Sequence, residues 1–124
     1  RVLFRSEIIF CLKYFGINAL IFPDIGVAGI HRHKDALEKI ENNANIKLLI
    51  VVAGNEGALF SVISSQTKLP MIAVPTSRGY GYGGKGETAL KSALQSCSPG
   101  VVAVNIDNGF GAAAFAKKLL FFNN

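Results

Sequence analysis

The sequence lacks tryptophan and has only two cysteines, Cys11 and Cys97, together with one methionine and four prolines. Two cysteines cannot form the disulfide framework of a small secreted domain, so they fit a reducing compartment and we expect a cytoplasmic protein. Long apolar runs are also missing. Residues 8–22 are interrupted by a lysine, a glycine and an asparagine, which makes them a poor membrane span, and they lack the order of a signal peptide.

Acidic residues are in the minority, with 8 Asp and Glu against 13 Lys and Arg and a net charge of +5. The basic residues are scattered and form no run interleaved with aromatic residues, so the pattern does not favour nucleic-acid binding. Half of the 124 residues are hydrophobic, which is enough for one packed domain. We therefore expect a small-molecule ligand, and neither a nucleic acid nor a membrane as partner.

The first six residues, RVLFRS (1–6), resemble the translation of a sequencing-library adapter. We expect native sequence to begin near Glu7, so that residues 7–124 form the domain. The alternative is a genuine short strand over Val2–Phe4.

Apolar periodicity predicts helices alternating with strands. We expect helices at 7–15, 27–42, 56–66, 87–97 and 110–120, and strands at 17–22, 48–53, 71–74 and 101–105. This alternation predicts an α/β fold with a parallel sheet.

Glycines and small polar residues follow each of the four expected strands. The segments are PDIGVAG (23–29), AGNEGA (53–58), PTSRGYGYGG (75–84) and NIDNGFG (105–111). The carboxyl ends of parallel strands share one edge, where ligands of open α/β sheets bind and helix N-termini offer N–H groups to anions. The sequence therefore predicts a polar binding site at this edge.

Two residues could carry acid–base or nucleophilic chemistry. Glu56 follows a buried strand near an expected helix start, so it is either a general acid or base or a residue that helps the helix begin. Cys97 continues an apolar stripe, which favours a buried thiol, but its turn-like flank SCSPG (96–100) leaves a nucleophile open.

Several other residues have both a structural and a binding interpretation. Asp107 and Asn108 are expected to form an Asx turn and a helix cap, or to contact ribose or a metal ion. The segment HRH (31–33) is expected to face solvent; its two histidines do not have the spacing of a helical metal pair, and its arginine could bind a phosphate. The loop around Ser77, Arg78 and Tyr80 either closes over a ligand or is a mere connection.

At residues 53–77 the chain resembles the PurE-like family of aminoimidazole-ribonucleotide carboxylases and mutases, and its GIHR segment (29–32) is similar to that family's AHR. The family's catalytic histidine lies in an AAHLPG segment, and the matching position here is Ala58. Without that imidazole the purine reaction lacks its proton carrier.

A closer resemblance is to the LarB-type family, which has a PurE-like domain, an N-terminal domain, and a role in making the nickel-pincer nucleotide cofactor. The matching segments are DIGVAGIHR (24–32), AGNEGAL (53–59), AVPTSRGYG (73–81), LQSCSPG (94–100) and VNIDNGFGA (104–112). Two residues depart from the pattern: Asn55 stands where methionine is common, and Arg78 where a small apolar residue is usual.

This resemblance implies a carboxylation of the pyridinium ring of nicotinic acid adenine dinucleotide, with hydrolysis of its phosphoanhydride to release AMP. It implies Cys97 as the nucleophile and Glu56 as the proton acceptor. It also implies a substrate-binding set consisting of His31, Arg32, Gly54, Gly57, Ser77, Gly79, Tyr80, Gly81, Asn105, Asp107, Asn108 and Gly109. It implies further that carbon dioxide or bicarbonate is the co-substrate and that no cofactor is tightly bound, with Mg²⁺ as a candidate ion and Asp107 as its candidate contact.

The same resemblance implies a three-layer, flavodoxin-like parallel sheet and a homo-oligomer, commonly an octamer. The family's first strand, which ends in a Ser-Asp turn, has no match before Glu7. That strand is interior in the order 2-1-3-4-5, so its neighbours would face a gap. We therefore expect the 124-residue polypeptide, made alone, to be inactive and to be unstable or to aggregate. The alternatives are a purine carboxylase or mutase, and a non-catalytic nucleotide-binding module.

Overall fold

The structure, a computed structural model, describes residues 2–122, with side chains from Ser6 onward apart from Ile30. In this range helices and strands alternate after the first two helices. The helices are α1 (Val2–Tyr14), α2 (Ile30–Glu41), α3 (Ala58–Ser64), α4 (Glu87–Gln95) and α5 (Gly109–Leu120), with a short 3-10 helix at Gly81–Gly83. The strands are β1 (Leu49–Ala53), β2 (Met71–Pro75) and β3 (Val101–Ala103).

The three strands form one parallel sheet in the order β1-β2-β3. Leu49 pairs with Met71, and Met71 pairs with Val101, so the strands begin level with one another. All five residues of β2 are buried, because this central strand has a neighbour on each side and helices on both faces. Because the three strands are parallel and in register, their carboxyl ends lie together at one end of the sheet, which we call the carboxyl edge.

Alternate residues of β2 pack into two separate hydrophobic cores. Met71 and Ala73 face a core built with α2, α3, α4 and β1, in which Phe60 is fully buried. Ile72 and Val74 face a second core built with α1 and α5. Helices thus cover both faces of the sheet, which confirms the predicted three-layer, flavodoxin-like α/β architecture.

The strand predicted at 17–22 does not form. Gly16 ends α1 in a left-handed conformation, with φ of 75°, and the Ile17 N–H donates back to the Leu12 carbonyl at 2.9 Å. The residues that follow adopt no regular secondary structure and pair with no strand of the described chain, and Leu20 and Ile21 are 60% and 50% exposed. The apolar pattern was present, but a strand also needs a neighbour for its backbone groups.

The start of the chain also differs from one expectation. Helix α1 begins at Val2, so the alternative of a short strand over Val2–Phe4 is wrong. Whether residues 1–6 are native stays a prediction. No helix in the described range 2–122 has the length and apolar character that crossing a membrane requires.

The second helix begins later than predicted, at Ile30 rather than Val27. His31 and Arg32 are exposed as expected, whereas His33 is only 4% exposed. Its position explains this correction: His33 lies one turn before Ala36 and Leu37, on the face of α2 that packs against the sheet.

Glu56 and Cys97 lie outside the helices in which they were expected. Helix α3 begins only at Ala58, because Asn55 and Gly57 adopt left-handed conformations with φ of 50° and 66°. Helix α4 ends at Gln95, and Cys97 is exposed rather than part of a buried stripe. Both side chains are therefore on loops.

Candidate active site at the carboxyl edge

The loops after β1, β2 and β3 are hydrogen-bonded to one another at the carboxyl edge. The Thr76 N–H donates to the Ala53 carbonyl, and the Asp107 N–H donates to the Pro75 carbonyl, each at 2.9 Å. Thr76 is itself only 7% exposed. Sequence reasoning did not single out Thr76, although its place directly after the last residue of the central strand is the signal that could have identified it.

The loop after β1 is a tight turn in which the Gly57 N–H donates to the Gly54 carbonyl at 3.0 Å. Gly54 has no room for a side chain, because a Cβ there would collide with the Arg78 carbonyl and lie 2.9 Å from Thr76 Oγ1. Gly54, which was predicted to bind the substrate, therefore has a packing role: because it has no side chain, the loop after β2 can pass close to the loop after β1.

Asn55 places a buried amide oxygen under the glycine-rich loop. Its Oδ1 has no hydrogen-bond partner in the described chain, and it would lie 2.6 Å from a Cβ added at Gly79. A Cβ at Gly83 would lie 3.0 Å from the Asn55 carbonyl oxygen. The loop thus rests directly on Asn55, while Tyr80 and Tyr82 extend away and are 82% and 101% exposed.

Ser77 and Asp107 join the loops that follow β2 and β3. The Ser77 N–H donates to Asp107 Oδ1 at 2.8 Å, and the Ser77 hydroxyl donates to Asp107 Oδ2 at 2.5 Å. Asp107 itself has a left-handed φ of 61°. Both residues are half-buried, so the pair borders the site while remaining open to solvent.

The side-chain amides of Asn105 and Asn108, in the loop after β3, accept hydrogen bonds from nearby backbone N–H groups. Asn108 Oδ1 accepts from the Gly111 N–H at 2.8 Å, which confirms the predicted cap at the start of α5. Asn105 Oδ1 accepts from the Ile106 N–H at 2.8 Å. Gly109 is buried against α1, where a Cβ would lie 2.8 Å from Ile8 Cγ1.

Arg32 and Glu56 are two exposed charged groups whose positions fit the predicted edge. Glu56 lies in the turn directly beyond β1. The last residues of α2 lead into the amino end of β1. The first residues of α2, which include His31 and Arg32, therefore lie toward the carboxyl edge. Arg32 Nη1 donates to the Asp24 carbonyl at 3.4 Å.

Cys97 lies at the other edge of the sheet. Helix α4 starts at the carboxyl edge, where a Cβ at Gly86 would lie 3.0 Å from the Thr76 carbonyl oxygen, and runs for nine residues, or about 13 Å, away from it. Cys97 follows that helix and precedes Gly100, whose carbonyl accepts from the first N–H of β2. One chain therefore does not bring Cys97 and Glu56 together.

In the described part of the chain, no group of three or more His, Cys, Asp or Glu side chains is placed so that it could hold a metal ion. Both carboxylate oxygens of Asp107 already accept hydrogen bonds from Ser77. A metal or ribose contact by Asp107 stays a prediction.

A family model described as AIR carboxylase matches residues 4–124. The chain belongs to the AIR carboxylase family. The PurE-like resemblance seen in the sequence is therefore confirmed at the level of this family. In this chain the family's domain has a parallel sheet between two layers of helices, with a polar carboxyl edge.

Two proteins of Methanocaldococcus jannaschii are similar to this AIR carboxylase-family chain. An uncharacterized protein is 50% identical over 105 residues, which are 85% of this chain and 40% of that protein. An N5-carboxyaminoimidazole ribonucleotide mutase is 35% identical over 111 residues, which are 88% of this chain and 65% of the mutase. The chain thus spans less than two thirds of the length of either relative.

Proposed function

We propose that the protein carboxylates the pyridinium ring of nicotinic acid adenine dinucleotide and hydrolyses its phosphoanhydride, releasing AMP, as the LarB-type resemblance implies. The observation that carries this proposal is that the chain has an alanine at position 58, which matches the catalytic histidine of the purine enzymes, together with a cysteine at position 97. Ala58 is the first residue of α3, two residues from Glu56, and its methyl group cannot carry a proton. Cys97 offers an exposed thiol instead.

The chemistry accounts for the need for a thiolate. A pyridinium ring is electron-poor and cannot attack carbon dioxide. Addition of the Cys97 thiolate to the carbon para to the ring nitrogen gives a dihydropyridine, whose meta carbon is electron-rich and forms the new bond to carbon dioxide. A base removes the proton from that carbon, the carbon–sulfur bond breaks, and the thiolate leaves. No net oxidation or reduction occurs, and water cleaves the phosphoanhydride in a separate step.

Glu56 is the base in this proposal, and it would have to meet a thiol from another subunit. Because Glu56 and Cys97 lie at opposite edges of one sheet, we place the complete site between two copies in a homo-oligomer, for which the family suggests an octamer. The two side chains suit such a site, since both are exposed on loops. A divalent ion such as Mg²⁺ would serve the phosphoanhydride step.

The test uses the domain in its natural full-length context, with nicotinic acid adenine dinucleotide and bicarbonate supplied. We expect AMP and a carboxylated pyridinium mononucleotide from the wild type, and neither product from Cys97→Ser or Glu56→Gln alone. When the two variants are co-expressed, random assembly leaves both groups intact in roughly a quarter of shared sites, and activity should return to about that level. Activity in neither the wild type nor the mixture would contradict the reaction itself.

The second candidate is a purine carboxylase or mutase reaction of the aminoimidazole ribonucleotide class, favoured by the 35% identity to a mutase. Ala58 argues against it, since the proton carrier implied by the resemblance is missing. A non-catalytic nucleotide-binding module is the third candidate; for that candidate, Cys97→Ser would keep both ligand binding and cellular function.

A further inference from the structure

The Ser77–Asp107 pair determines what kind of ligand group Ser77 can bind. A serine residue has two hydrogen-bond donors, its backbone N–H and its hydroxyl proton, and its hydroxyl oxygen also has two acceptor lone pairs. Both donors of Ser77 are directed at Asp107, at 2.8 Å and 2.5 Å. Ser77 therefore has only its hydroxyl lone pairs left for a ligand.

Asp107 is held in a way that keeps this arrangement fixed. Its N–H donates to the Pro75 carbonyl at 2.9 Å, its backbone takes a left-handed φ of 61°, and its two oxygens hold Ser77. The carboxylate is thus anchored to the end of β2 through both backbone and side chain.

A phosphate group is a poor partner for this pair. Phosphate oxygens accept hydrogen bonds, and they would meet the Ser77 lone pairs and a nearby carboxylate charge with no donor between them. A sugar hydroxyl can instead donate to Ser77 Oγ. Ser77 is half-buried at the carboxyl edge, where the proposed nucleotide would lie.

We propose that Ser77 accepts a hydrogen bond from a ribose hydroxyl of the nucleotide, and that Asp107 is a positioning residue that holds Ser77 in this role. The inference rests on the proposed function only in that the site binds a ribonucleotide. It holds equally for both candidate reactions, because both substrates contain ribose.

The test measures the affinities for AMP and for its 2′,3′-dideoxy form by calorimetry, in the full-length protein. We expect the wild type to prefer AMP by about fivefold, the value of one net hydrogen bond. Ser77→Ala should reduce that ratio to about one, while Ser65→Ala, an exposed serine at the end of α3, should leave it unchanged.

Asp107→Asn supplies the second readout. It should lower the ratio in the wild-type background and change it no further in the Ser77→Ala background, because Asp107 acts through Ser77. A ratio that stays above one in Ser77→Ala and falls to one only in the double variant would show that Asp107 touches the ribose itself. An equal wild-type affinity for both nucleotides would overturn the proposal. If the wild type binds neither nucleotide, the ribose contact proposed here is overturned, and the product assay with nicotinic acid adenine dinucleotide decides separately whether the proposed function stands.

Discussion

The close crossing of two loops at Gly54 gives a sharp test of the site's architecture. We expect Gly54→Ala to destabilise the domain, because the new methyl group would occupy the space of the Arg78 carbonyl and press on Thr76 Oγ1. The first obstacle is backbone rather than the end of a flexible side chain, so the glycine-rich loop has to move as a whole.

The size of the effect follows from the packing. Inserting a methyl group into a filled site costs about 1–3 kcal/mol, and the upper end applies where backbone must shift. For a domain of 124 residues, a loss of about 3 kcal/mol lowers the melting temperature by roughly 10 °C. Nucleotide affinity should fall as well, since the displaced loop carries Ser77.

The assay is thermal and denaturant unfolding of Gly54→Ala beside Gly26→Ala in the full-length protein. Gly26 is the matched control, because a Cβ there would meet nothing within 4 Å and its φ is not positive. We expect the control to stay within about 0.5 kcal/mol of the wild type. Equal stability of the two variants would refute the loop crossing.

Three further predictions concern the cores, the helix cap and the thiols. Phe60→Ala should lower the free energy of unfolding by about 3–5 kcal/mol in urea titrations, because Phe60 is fully buried; a loss below about 1 kcal/mol would contradict that packing. Asn108→Ala should cost about 1 kcal/mol by removing the cap of α5, with Asn108→Asp as the cap-preserving control; equal stability of the two variants would contradict the cap. Cys97 should react with iodoacetamide before the half-buried Cys11, and labelling of Cys11 first, read by mass spectrometry, would contradict the exposure of the 96–100 turn.

Much of the fold could be predicted from the sequence, because the relevant signals are local. The branched apolar run of β1 and the run Met71–Val74 predicted buried parallel strands, and both strands are present. Glycine and small polar residues after them predicted the polar edge. The cap by Asn108 was also predictable, because an asparagine directly before the first residue of a helix is a local sequence signal.

The remainder depends on interactions between distant segments. Residues 17–22 have the pattern of a strand, but the pattern does not say whether a neighbour is available to pair with it. His33 is buried through the packing of α2 on the sheet, which a single histidine in the sequence does not reveal. The Ser77–Asp107 pair joins residues 30 positions apart, and only the fold brings them together.

The separation of Cys97 and Glu56 is the most consequential of these results. Both residues were predicted in one site, and the fold places them at opposite ends of the parallel strands. The proposal therefore ties catalysis to assembly. A protein held as a monomer should bind a nucleotide at the carboxyl edge and yet form no product.

The measurement that tests the central claim most directly offers the full-length protein two acceptors together, nicotinic acid adenine dinucleotide and aminoimidazole ribonucleotide, with isotope-labelled bicarbonate. Mass spectrometry then shows which product carries the label. We predict label in a pyridinium mononucleotide, with AMP released and both products lost in Cys97→Ser. Label in the imidazole product, retained in Cys97→Ser, would contradict the account and support the purine reaction.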